Sequence, residues 1–184
     1  GSLTPEDRVA LGTPYPDFTW GITNTFQIKD FDISFLIQGV QGITVLNGDV
    51  YYNETKKWNK KYTKNRWVSA EHPGDGKTPY QNVKTGHDLM LTDYPLQNAS
   101  YACLRNFTVG YTLPATAARK IKLSGVRFYV SGSNLFYIWG SGYKGINPES
   151  RMTSGNYSSA MISGYQRGGF PLTSTISAGF DINF

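Results

Sequence analysis

The feature that most constrains this chain is a strict alternation of apolar and polar residues at both of its ends. From Phe18 to Ile28 the even positions are Phe18, Trp20, Ile22, Asn24, Phe26 and Ile28, and the odd positions are Thr, Gly or Gln. A period of two is the signature of a strand with one apolar face. The phase then flips. Phe31, Ile33, Phe35 and Ile37 are odd, with Leu36 and Val40 as exceptions. A hairpin through a two-residue Lys29-Asp30 turn accounts for the flip. It pairs Ile28 with Phe31 and Phe26 with Ile33, so both apolar sets share one face. The turn lacks the Gly that such turns prefer, and its type stays open.

Three further strands follow the same rule. About Tyr101 to Leu113, Phe107, Val109, Tyr111 and Leu113 alternate with Thr108, Gly110 and Thr112, and Pro114 ends the ladder. A strand over 125–138 opens with Phe128 and Val130 against Arg127 and Ser131. Its phase slips near Gly132 to Asn134, after which Leu135, Tyr137 and Trp139 carry the apolar parity, which predicts a β-bulge at Gly132. The last strand, 172–184, alternates Ile176, Ala178, Phe180, Ile182 and Phe184 with Thr175, Ser177, Gly179, Asp181 and Asn183. The five expected strands are therefore 17–29, 31–41, 101–113, 125–138 and 172–184.

Composition agrees with an all-β chain. Aromatic residues reach 15% and charged residues only 17%, below the usual quarter. Cys103 is the single cysteine and sits on the apolar parity, so it reads as an inert small hydrophobe without a disulfide partner. The two histidines, His72 and His87, offer no credible metal or acid–base set. The expectation is no cofactor, no metal, no catalytic residues and no nucleic-acid partner. The basic stretch from Lys56 to Arg66, with Trp58, Tyr62 and Trp67 among its lysines, reads instead as a solvated loop suited to lipopolysaccharide phosphates.

The connections are lopsided. Lys29-Asp30 is tight and 114–125 moderate, whereas 42–100 and 139–171 are long. Tight turns at one end and long loops at the other describe a transmembrane barrel, and ten or so residues per strand suit a tilted crossing. Five strands cannot close such a barrel. The reading therefore makes residues 1–184 the C-terminal part of one barrel whose remaining strands precede residue 1. It puts 1–16, 42–100 and 140–171 outside the cell and the two shorter turns in the periplasm. Trp20, Phe31, Tyr111, Phe128 and Phe184 are expected to face lipid or the aromatic girdle. A soluble β-sandwich that binds carbohydrate through loop aromatics is the alternative.

Specific motifs then point to a family. The run from Ser100 to Pro114 (SYACLRNFTVGYTLP) resembles the SYLRLKNVTLGYTLP signature of the SusC/RagA-type TonB-dependent transporters of Bacteroidetes. Val126 to Leu135 is similar to that family's LRVYVSGQNL, and Tyr143 to Glu149 to its YKGFDPE. Pro16 to Gly42, Asn65-Arg66-Trp67 and Asp7 to Gly12 also resemble family segments, in family order. Ala102 and Cys103 depart from the pattern, where the family carries a large apolar and a basic residue. The acidic, Gly-rich segment often found before DRVVLG is absent as well.

The resemblance implies the last five strands of a 22-stranded barrel, and a plug domain that lies outside this chain. It implies energy delivered through TonB, import of oligosaccharides or peptides, and a SusD-like surface lipoprotein as lid. Trp67, Trp58 and Tyr143 are the candidate substrate- or lid-facing loop residues.

Overall fold

The computed structural model describes residues 4–7, 9–49, 65–78, 80, 92–150, 164–167 and 169–184. Trp58, and the whole of the lysine-rich stretch before Asn65, lie outside the described residues. After a 3-10 turn at Pro5–Asp7, the order is β1 (Phe18–Ile28), β2 (Phe31–Gln41), β3 (Thr44–Asn47), β4 (Leu96–Asn98) and β5 (Tyr101–Thr112). A short helix α1 (Ala115–Lys120) follows, then β6 (Gly125–Trp139), β7 (Tyr165–Gln166) and β8 (Thr175–Asn183). These group into two units, each described by itself.

One unit comprises Phe18–Gln41, Tyr101–Trp139 and Pro171–Phe184. It is an antiparallel sheet in the order β1-β2-β5-β6-β8. Branched and aromatic residues fill the strands because they pack well on a pleated surface. The first hairpin pairs Ile28 with Phe31 and Phe26 with Ile33, as the alternation predicts. Lys29 takes φ 55° while Asp30 keeps a negative φ, the signs of a type II′ turn. At the same end of the sheet, Pro114 stops β5 and α1 makes the return to β6. The connections 42–100 and 140–174 join strands at the opposite end.

The register breaks once in the middle of the sheet. Leu36 pairs with Asn106 and Ile37 with Leu104, so Arg105 is an extra residue on β5. On the other side, Leu104 pairs with Phe136 and Asn106 with Ser133, so Asn134 and Leu135 oppose Arg105. Asn134 takes φ 54°, a left-handed conformation that Asn tolerates better than most residues. The bulge therefore sits at Asn134, just beyond the expected Gly132. A Cβ on Gly132 would collide with the Leu135 side chain, which lies over it.

The extra residue corrects two expectations. Beyond Arg105 the apolar parity of β5 passes to Leu104 and Ala102. Cys103 pairs with Gln38 and Tyr137, and so takes the polar parity, fully buried. On β6, Phe136 and Ile138 pair with the apolar-face residues Leu104 and Ala102. Tyr137 and Trp139 consequently lie on the opposite face, while Leu135 stays on the apolar one. β8 also starts late, because the Ser174 hydroxyl donates to the Asn134 carbonyl at 2.7 Å.

The other unit comprises residues 1–17, 42–100 and 140–170. Its described part holds a three-stranded sheet in which β3 pairs antiparallel with β4 and parallel with β7. Ile43 and Val45 are buried beside a polar interior of Asn47, Gln97 and Gln166. Asn47 Nδ2 donates to Gln97 Oε1 at 3.0 Å, and Gln166 Nε2 donates to the Ser150 carbonyl at 2.8 Å. Such interiors hold together only when their polar groups are paired.

Candidate functional site

The five-stranded sheet separates two chemistries, rung by rung. One rung reads Phe26–Ile33–Val109–Val130–Ala178, and its neighbour reads Thr25–Ser34–Thr108–Ser131–Ser177. Successive residues of a strand point to opposite faces, so an aliphatic stripe backs onto a row of hydroxyls. A slip of one residue would exchange them.

The apolar face is ordered along the strands. Nearest the short turns lies Ile28–Phe31–Tyr111–Phe128–Phe180, with the Phe31 and Tyr111 rings 4.8 Å apart. The rungs between mix aliphatic residues with Phe26, Phe35, Phe107 and Phe136. At the far end Trp20 lies across Gly39, where a Cβ would strike its indole. The face is exposed: Ile176 is 74% and Phe180 65% accessible. A contiguous apolar surface of this kind marks an interaction with another apolar phase.

Three of the expected girdle residues, Phe31, Tyr111 and Phe128, share this rung. Phe184 does not. Phe180 pairs with Phe128 and fills the place, while Phe184 follows the last ladder residue of β8. Trp20 belongs to the opposite end of the same face.

The polar face carries charge that the alternation alone did not single out. Arg127 Nε and Nη2 bind the two oxygens of Asp32 at 3.1 and 2.7 Å, and Nη1 reaches Asp181 at 3.5 Å. The fork-to-fork geometry is the strong form of such a pair. Arg105, the bulge residue, donates from Nη1 to Asn134 Oδ1 at 2.8 Å and to the Tyr137 hydroxyl at 3.1 Å. Its Nε reaches Gln38 Oε1 at 3.2 Å. The sequence signal was present: Asp32, Arg127 and Asp181 all fall on the polar parity.

In the other unit, Trp67 is 41% exposed and meets Tyr80 edge-on at 6.0 Å. Its backbone N–H donates to the Thr78 carbonyl at 2.9 Å. Asp75 shapes this loop by accepting from the N–H groups of Thr78 and Lys77 at 2.7 and 2.8 Å and from the Thr78 hydroxyl at 2.9 Å. Those hydrogen bonds, led by the Thr78 and Lys77 amides, lower its carboxyl to about 2. Tyr143 is 5% exposed and its hydroxyl donates to Gln166 Oε1 at 2.7 Å. Its ring therefore packs inside the unit and gives a ligand no open face.

No protein-family model matches the chain. TonB-dependent receptor P3 of Formosa agariphila is 29% identical over 191 residues, covering the whole chain and 18% of the relative. TonB-dependent receptor SusC of Bacteroides thetaiotaomicron is 27% identical over 150 residues, covering 81% of the chain and 14% of the relative. Among solved structures, the RagAB peptide importer in its closed-closed state matches with TM-score 0.66 and 21% identity. That match covers 95% of the chain and 18% of the solved one. The chain is thus similar throughout to SusC-type TonB-dependent receptors and spans less than a fifth of their length.

Proposed function

We propose that this relative of the SusC/RagA-type TonB-dependent receptors supplies the last five strands of a 22-stranded outer-membrane barrel. The observation that carries the reading is the exposed apolar sheet face, continuous over the five strands, with a row of aromatic rings at the short-turn end and Trp20 at the other. In a bilayer that surface meets hydrocarbon, and its rings sit at the interfaces as girdles. The serine and threonine rungs then line the lumen. Strand edges left open in lipid cost several kcal/mol per unpaired group, so β1 and β8 pair with further strands of the barrel.

In this reading residues 1–184 form part of one barrel domain, with the plug elsewhere in the transporter. The long connections face outside, toward lipopolysaccharide, and the short turns face the periplasm. The transporter imports oligosaccharides or peptides with energy delivered through TonB, and a SusD-like lipoprotein acts as its lid. Similarity to SusC and to the RagAB peptide importer supports that activity and that partner. The relatives carry receptor names rather than enzyme names, which fits a non-enzymatic role. Trp67, and Trp58 beyond the described residues, remain the loop residues proposed to meet substrate or lid.

A β-sandwich carbohydrate module would cover its apolar face with a second sheet. The exposure of Ile176 and Phe180 favours the barrel wall. The test is uptake by cells expressing the intact transporter, with and without a proton ionophore. Import of oligosaccharide or peptide that stops when the inner membrane is de-energised is expected; ionophore-insensitive uptake overturns the reading.

A further inference from the structure

On the apolar face of the five-stranded sheet, Val109, Tyr111, Phe128, Val130, Ala178 and Phe180 line an open groove of about 480 Å³. They belong to two successive rungs of β5, β6 and β8, with Phe128 paired to Phe180 and Val130 to Ala178. The single methyl of Ala178 beside those rings leaves the face recessed there.

The connection from β5 to β6, the two strands at the centre of this groove, is basic. Arg119, Lys120 and Lys122 lie in it, and no acidic residue occurs from Leu113 to Ser124. All three cations are exposed and make no ion pair among the described residues. Ile121, between them, is 57% exposed. The strand carboxylates at this end, Asp32 and Asp181, are held by Arg127 on the hydroxyl face. Asp30 is offset by Lys29 beside it.

The backbone gives a second sign. The described non-glycine residues with positive φ are two asparagines, Asn65 and Asn134, and two lysines, Lys29 and Lys122. Asparagine tolerates the left-handed region, whereas at a lysine position glycine would adopt it with less strain. Both lysines lie in the short connections, so a cation stands at each place where the backbone favours glycine. From Gly125, where β6 begins, to Phe128 is about 10 Å along the strand. That distance spans the headgroup layer between phosphate and hydrocarbon.

We infer that this end of the sheet binds an anionic phospholipid of the inner leaflet. One acyl chain lies in the Ala178 groove, and Arg119, Lys120 and Lys122 meet the phosphate. The inference rests on the membrane reading and goes beyond it, because contact with hydrocarbon alone asks for no charge. Lysine and arginine stems run along apolar surface while their heads stay at the polar boundary, and the arginine fork matches phosphate oxygens. A zwitterionic headgroup brings its own ammonium, which the basic run repels, so the site discriminates by charge.

The test is native mass spectrometry of the purified full-length transporter, titrated in detergent with phosphatidylglycerol or phosphatidylcholine of the same acyl chains. Wild type is expected to retain phosphatidylglycerol in preference. Lys122→Gly removes a charge while easing the backbone, so its combination with Arg119→Gln and Lys120→Gln leaves a connection that folds. At about fivefold per basic residue, the triple variant is expected to lose at least about tenfold of that preference. Ala178→Phe fills the groove and is expected to lower retention of both lipids. Lys77→Gln, in the other unit, is expected to behave as wild type. The site is overturned by equal retention of both lipids in wild type, by an undiminished preference in the triple variant, or by wild-type retention in Ala178→Phe. An equal loss in Lys77→Gln overturns it too, and each of these outcomes leaves the barrel standing. Retention of neither lipid by wild type would overturn the site and the membrane reading together.

Discussion

Arg127 and Asp32 pair across an intervening strand, because the β5 residue between them is Gly110. Asp32 is the register partner of Gly110, and a Cβ there would collide with both the Asp32 carboxylate and Arg127 Nη2. The missing side chain is what lets a guanidinium on β6 reach a carboxylate on β2. Gly110→Ala is therefore expected to destabilise the intact barrel by about 1–3 kcal/mol, the range for overpacking. In an Asp32→Ala background most of that penalty should vanish, since the carboxylate is gone and Arg127, no longer held by it, is free to move aside. Urea denaturation of the four variants checks it, and an equal penalty in both backgrounds would rule out the ion pair as its cause.

How far this wall was legible in the sequence depends on what each strand had to satisfy. The first hairpin was readable to the residue, because its two strands pair without a bulge and the two-residue turn, together with parity, fixes the register. The sheet centre was not. The alternation on β5 hides the insertion at Arg105, since Tyr101 and Cys103 look as apolar as Phe107 and Val109. Only pairing with neighbours on both sides reveals that the parity changes hands. Phase places Phe184 on the apolar parity but does not say which rung is opposite; Phe180 pairs with Phe128, and Phe184 follows the last ladder residue. The β3-β4-β7 sheet escaped notice because its strands are short and their alternation is carried by Asn and Gln rather than by apolar residues.

Topology makes a second prediction. Ser141 and Arg119 are both exposed and lie in connections at opposite ends of the five-stranded sheet. Native Cys103 is buried, so it provides little background. In intact cells a membrane-impermeant maleimide is expected to label Ser141→Cys and to spare Arg119→Cys until the outer membrane is opened. The reverse pattern would invert the proposed orientation.

The Asp75 loop should respond to acid in a defined window. Its carboxyl lies below the ordinary 3.8, at about 2, so its folded-state pKa is depressed. The sign follows: the stabilisation is fully present above 3.8, and it fades as pH falls through about 2. Protonation weakens the acceptor for the Thr78 and Lys77 amides, which should lose protection together. Hydrogen exchange of those amides, corrected for intrinsic rates, should be flat from neutrality to about pH 4 and rise below it. Asp75→Asn should abolish the pH dependence; a loop that opens equally in that variant owes its acid response to another group.

The lipid face supplies the sharpest test, because neighbouring residues on β8 should behave oppositely. Ile176 pairs with Gly132 on the apolar side, and Thr175 pairs with Ser133 on the hydroxyl side. Ile176 is 74% exposed and meets no packed interior, so a loss of core contacts cannot explain an effect there. An arginine at Ile176 must place its guanidinium in hydrocarbon, at about 2–4 kcal/mol near the midplane. The same residue at Thr175 enters the wet side beside serines and threonines and should cost far less. Folding titrations of the two variants in lipid vesicles measure the difference directly. If Thr175→Arg proves the costlier, the hydroxyl rungs face lipid and the wall has been read inside out. If both are mild, the face is wet and the membrane reading fails, whatever the similarity to SusC.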